Sequence, residues 1–124
     1  MRKILVVEKV EKRDGRLSLI SDHPPFSLEQ AKPKNHMLVD SDKIAFIYIL
    51  ETDEDFIYVT IPYQFWTDIK QVLTDDTPIF LQSGTIKLEL TNFKEELTYL
   101  IENIDGNANY GEQMEQAVKE IFLT

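Results

Sequence analysis

Asp40 and Asp42 flank Ser41 immediately ahead of a long apolar run beginning at Ile44. Two carboxylates held close together can grip a cation, or shift one another's protonation for acid–base work. The same residue type at a turn entering a strand more often accepts from nearby backbone amides, and that is the expected role here. A second polar segment, Asp105-Gly106-Asn107-Ala108-Asn109-Tyr110-Gly111, lies between two helical patterns. Asp105, Asn107 and Asn109 fall at the first, third and fifth positions of a calcium loop. Its sixth position, which requires glycine, is Tyr110, and its twelfth, which requires glutamate, is Gln116. The better reading makes Gly106 a left-handed helix terminator and Asn107 or Asn109 the cap of the next helix.

Other chemistries find less support. His23 and His36 lie thirteen residues apart in a proline-rich segment, with no second ligand pair to complete a zinc shell. There is no cysteine, which removes disulfides, thiolate nucleophiles and cysteine-ligated metals. No Gly-x-Ser-x-Gly elbow is present; Ser41 sits in a polar loop and Ser83 in a hairpin turn. Gly15, Gly84, Gly106 and Gly111 are isolated, so no glycine-rich loop cradles a phosphate. No catalytic constellation, metal site or cofactor is expected.

The elements that would position these residues follow from periodicity. Residues 2–10 and 16–21 read as a hairpin turning near Gly15. Residues 22–36, with Pro24, Pro25 and Pro33, read as loop, with a short helix capped by Ser27 and Gln30 and stopped at Pro33. The runs Ile44–Leu50 and Phe56–Ile61 form strands around an acidic turn, the first apolar on both faces as a central strand would be. Pro62 ends the second strand and opens a helix over 63–73. A hairpin follows over 78–90, turning at Ser83-Gly84. Asn92 and Glu95 offer a capping box for a helix that lines up Phe93, Leu97, Leu100, Ile101 and Ile104. A last helix carries Met114, Val118, Ile121 and Phe122. The expected fold is therefore α+β, one domain over 1–124. Its antiparallel sheet has about six strands with two to three helices on one side, in the order ββ(α)ββαββαα.

Composition sets the class of partner. The net charge is −9, with 9 basic and 11 acidic residues over 1–62 but 4 and 11 over 63–124. Such a surface repels nucleic acid, most strongly from the C-terminal half. No apolar run approaches the roughly 18 residues that span a bilayer, and the short run after Lys3 ends at Glu8, too soon for a signal peptide. A cytoplasmic protein without membrane or nucleic-acid partners is expected. Tyr48, Tyr58, Tyr63, Phe65 and Trp66 crowd around the central strands, and Trp66, if it faces outward, would anchor a protein partner.

Several runs resemble the YjbL-type family of small proteins from Bacillus, Staphylococcus and relatives. They are Met37–Asp42, Ala45-Phe46, Tyr48 and Leu50, Trp66-Thr67, and Leu88–Thr91 with Phe93, Glu96 and Leu97. Asn103-Ile104, Gly106-Asn107 and Asn109-Tyr110-Gly111 complete the set. The likeness runs over about residues 37 to 122. It implies a cytoplasmic protein of a low-GC Gram-positive bacterium and brings no activity, cofactor or catalytic residue with it. The leading expectation is a non-enzymatic interaction module that binds another protein or itself. The alternative is a small-ligand binder or minor enzyme whose site joins the Asp40/Asp42 and Asn107/Asn109 loops. Asp40, Ser41, Asp42, Trp66, Asn103, Asn107, Asn109, Tyr110 and Gly111 are the candidate binding residues.

Overall fold

The first apolar run of the chain is shared between two sheets. Strands β1 (Lys3–Val6) and β2 (Lys9–Arg13) are separated only by Val7 and Glu8. The Val7 amide donates to the Thr60 carbonyl and the Glu8 amide to that of Ile20, both at 2.9 Å, so consecutive amides serve different sheets. The structure, a computed structural model, describes residues 3–22 and 24–124. The remaining strands are β3 (Arg16–Ser21), β4 (Lys32–Asp40), β5 (Ala45–Glu51), β6 (Phe56–Pro62), β7 (Ile79–Ser83) and β8 (Ile86–Glu89). They form one sheet in the order β1-β6-β5-β4 and a second in the order β2-β3-β7-β8. Helices α1 (Trp66–Leu73), α2 (Phe93–Ile104) and α3 (Glu112–Phe122) complete the fold.

The α+β class is as expected, and so is the central place of the 44–50 run: β5 lies between β4 and β6, seven residues in register with β6. The pairing is richer than hairpins alone. β1 runs parallel to β6 and β3 parallel to β7, so both sheets are mixed, and the strands number eight among the described residues. The hairpin expected of residues 2–10 and 16–21 is met in part: β3 does turn back at Asp14-Gly15, both at positive φ, but it pairs with Lys9–Arg13, while Lys3–Val6 belongs to the other sheet. Local signals miss β4. Pro33 tolerates a place near the start of this edge strand, and the register shifts between Pro33 and Met37, where Asn35 is left-handed. The helix expected from Ser27 does not form. The Ser27 hydroxyl accepts from the Glu29 amide at 3.2 Å, closing a local turn instead.

Side chains from both sheets and all three helices meet in one core, including Leu5, Leu19, Tyr48, Trp66, Leu81, Leu97 and Val118. Of two buried hydroxyls beside the crossing, the first links the sheets and the second closes the end of the β3–β7 pair. Ser21 Oγ donates to the Val6 carbonyl at 2.9 Å, and Ser83 Oγ to that of Asp22 at 3.1 Å. Phe93, Leu97, Leu100, Ile101 and Ile104 all turn inward from α2, as their spacing predicts. The expected Asn92 cap does not form, since Asn92 is left-handed and its side chain makes no capping bond. Among the described residues no helix is long and apolar enough to cross a membrane.

At the crossing between sheets, Glu8 faces Asp22. Hydrogen bonding to Asp22, then burial and repulsion by the same carboxylate, raise the Glu8 pKa above its ordinary value. A carboxyl group with a raised folded-state pKa favours the fold while protonated and loses that contribution as pH rises through the folded value. Glu8→Gln should therefore match the wild-type melting temperature near pH 4 and exceed it at pH 7. Equal differences at both pH values would refute the repulsion.

Candidate functional site

The best-formed concavity lies on the flank of α3. Glu112, Gln116 and Glu120 recur every fourth residue, which stacks them along one face, with Gln113 and Ala117 beside them. Ile44 and Tyr63 form the opposite wall, and together these seven residues enclose an open groove of ≈ 750 Å³. The Tyr63 amide donates to the Ile44 carbonyl at 3.1 Å, so the two wall residues are fixed to each other. The ring of Tyr63 rests 5.3 Å from that of Trp66, and its hydroxyl donates to Glu120 Oε2 at 3.2 Å. That carboxylate raises the Tyr63 pKa, because it holds the phenolic proton in place. Gln116 Nε2 donates to the other oxygen of Glu120 at 3.5 Å.

Two properties of the groove bear on function. Its lining is uncharged and apolar at Ile44 and Ala117, amphipathic at Tyr63, and acidic at Glu112 and Glu120, with no cationic side chain among the described residues. Ile44 also holds φ at +52°, a left-handed conformation that a β-branched residue adopts only under strain. Strain of this kind concentrates at sites where the surrounding structure holds a residue in place for a purpose.

The residues singled out from sequence fall elsewhere. Trp66 is fully buried, its indole N–H donating to the Ile61 carbonyl at 3.2 Å and its ring 4.5 Å from that of Phe46. It supports the groove wall through Tyr63 and presents no surface of its own, so the outward orientation required of an anchor is not met. Asp40 Oδ1 accepts from the Lys43 amide at 3.2 Å, the turn role expected of it. Asp40, Ser41 and Asp42 do border a cleft of ≈ 480 Å³, whose other walls are Leu38, Val39, Ile47 and Tyr58. Asn103, Asn107, Asn109, Tyr110 and Gly111 line none of it, so the cleft does not join the two loops. Gly106 takes φ +73° just past α2, and the Asn107 side chain accepts from the Asn109 amide at 3.0 Å, capping a single 3-10 turn over Ala108–Tyr110. Gly106 thus plays the terminator role read from the sequence, whereas the cap expected of Asn107 or Asn109 on the last helix goes to the 3-10 turn instead, α3 starting after Gly111 without a side-chain cap.

His36 Nδ1 lies 3.2 Å from Glu96 Oε1, which also accepts from the Met37 amide at 3.1 Å. This carboxylate fastens the start of α2 to β4. His23 lies outside the described residues. Among those described, no group of three or more His, Cys, Asp or Glu side chains could hold a metal ion.

Sequence reading misses the groove because its walls come from positions 44, 63 and 112–120. One signal is available: Glu112, Gln116 and Glu120 keep the side of α3 next to Ala117 polar and acidic at four-residue spacing.

Comparison with known proteins gives close relatives along the whole chain. A UPF0738 protein of Geobacillus sp. strain WCH70 is 88% identical over 124 residues, covering 100% of both chains. One from Geobacillus thermodenitrificans is 54% identical over 119 residues, 96% of this chain and 95% of its own. One from Bacillus cereus strain G9842 is 41% identical over 123 residues, 99% and 100%. No solved structure matches. The resemblance noted above therefore holds for a family of Bacillus and its relatives, while the YjbL-type label and the Staphylococcus branch are not confirmed. A family model described as "Family of unknown function (UPF0738)" matches residues 5–122, and the chain belongs to that family.

Proposed function

We propose that this chain is a non-enzymatic interaction module of the cytoplasm whose α3 groove docks a basic segment of a partner protein. The observation that carries this reading is the pairing of an apolar floor with an acidic rim in one open groove, with no cation lining it among the described residues. An apolar side chain of the partner would displace water over Ile44, Ala117 and the Tyr63 ring. Lysine or arginine neighbours would meet Glu112 and Glu120. The net charge of −9 favours the approach of a basic partner over an acidic one. The polar Asp105–Gly111 connection flanks the same helix, but its hydrogen bonds go to itself and to the ends of α2 and α3.

The test uses synthetic peptides. One carries four lysines around a central leucine, and a second has the same charge with glycine in place of leucine. The leucine peptide should bind several-fold more tightly, and Gln116→Lys should weaken it roughly tenfold by setting a like charge between the two carboxylates. Gln116 is exposed, so the variant keeps the fold. Equal affinity for the two peptides, or binding indifferent to Gln116→Lys, would show that the groove is not the docking site.

A further inference from the structure

Glu112 and Glu120 stand at the two ends of one face of α3, about 12 Å apart along its axis, yet their carboxylates are engaged unequally. Glu120 is bonded on both oxygens: Oε2 accepts from the Tyr63 hydroxyl at 3.2 Å and Oε1 from Gln116 Nε2 at 3.5 Å. The Glu112 side chain makes no hydrogen bond or ion pair among the described residues. Tyr63, for its part, depends on the bond to Glu120. Its backbone is fixed by the amide's bond to the Ile44 carbonyl, but the residue is 38% exposed, and its ring meets that of Trp66 at 5.3 Å. An exposed side chain of this kind exchanges rotamers within nanoseconds unless a second contact holds it. The hydroxyl reaching α3 at Glu120 is that second contact, and it keeps the ring standing as the wall opposite Ala117.

We propose that the two carboxylates have different roles, a division that rests on the docking reading above. Glu112 receives the partner's cation. Glu120 is a positioning residue: it sets the preference for an apolar side chain by holding the Tyr63 ring in place. Nothing among the described residues competes with a lysine or arginine for Glu112. A cation at Glu120 must share oxygens that already accept from Tyr63 and Gln116, so this carboxylate adds more to the field of the groove than to a direct contact. The apolar side chain, in turn, gains most from a wall already in place. A ring that must first be immobilised takes its ordering cost out of the affinity. The groove therefore reads its partner in one direction, with the cation on the Glu112 side of the apolar anchor.

Calorimetric titration of the full chain with the leucine-centred and glycine-centred lysine peptides tests this, the readout being the ratio of the two affinities. Glu112→Ala and Glu120→Ala each remove one carboxylate, so a general attraction between opposite charges would treat them alike. Glu112→Ala should weaken both peptides by the same factor, roughly two- to fivefold for an exposed pair, and keep the leucine preference. Glu120→Ala should lower the leucine preference to roughly half or less, since docking must then fix a loosened ring. Tyr63→Phe, which keeps the ring and loses the hydroxyl, should do the same. Glu120→Gln should restore the preference, because its amide oxygen still accepts from Tyr63. Glu112, Glu120 and Tyr63 are all exposed, so the variants keep the fold. A leucine preference that falls equally in Glu112→Ala and Glu120→Ala, or that survives Tyr63→Phe, would overturn the division of roles and leave the docking groove standing. A wild-type chain with no leucine preference would overturn both.

Discussion

Trp66→Ala should remove about 3–5 kcal/mol of stability, the range for truncating a large buried aromatic. For a chain of this length that corresponds to a fall in melting temperature of roughly 10–15 °C. The side chain is fully buried against Phe46 and Phe122, with ring centres 4.5 Å and 5.7 Å away. Truncation leaves a cavity bounded by β5, α1 and α3, elements too firmly tied to their sheet and to each other to close it. It also strands the Ile61 carbonyl, which loses its indole donor. Thermal unfolding followed by far-ultraviolet circular dichroism measures the effect, since the variant lacks the only tryptophan. Trp66→Phe should lose less than half as much, keeping ring packing and sacrificing the hydrogen bond. A loss under about 1 kcal/mol for Trp66→Ala would mean that this cluster is not part of a close-packed core.

Leu81→Ala should cost about 3 kcal/mol and should do so without splitting the unfolding transition. Leu81 is fully buried, pairs with Leu19 across the parallel ladder and with Leu88 across the antiparallel one, and belongs to the same core as Leu5, Tyr48 and Trp66. Because β1 and β2 are one continuous segment serving both sheets, damage to one sheet is felt by the other. Urea unfolding monitored by tryptophan fluorescence, which reports from the far sheet, should shift by as much as unfolding monitored by circular dichroism. A tryptophan transition left at its wild-type midpoint would show that the sheets unfold separately.

Both expectations rest on features that the sequence shows unequally. The α2 stripe, the 44–62 ribbon and the Pro62 helix start are legible because each is decided by residues within one or two turns of one another. The 78–90 ribbon is legible too, with its two-residue loop one position later than expected, at Gly84-Thr85. The parallel ladders β1–β6 and β3–β7 join segments more than 50 residues apart, and no local pattern announces them. Periodicity also fails at the sheet crossing, where Val7 and Glu8 continue one apolar run while changing partners. β4 is hidden by its own irregularity: Pro33 and left-handed Asn35 read as loop, and only Met37–Asp40 keeps strict register with β5. Tyr63 is visible as one aromatic among several, but nothing in the chain says that Ile44 and Glu120 stand on either side of it.

The docking groove is tested most directly by amide chemical-shift mapping of the full chain titrated with the leucine-centred lysine peptide. Saturable shifts should gather at Ile44, Tyr63 and residues 112–120, leaving the outer faces of both sheets unchanged. Shifts scattered over the acidic surface without saturation, or none along α3, would contradict a docking role for the groove.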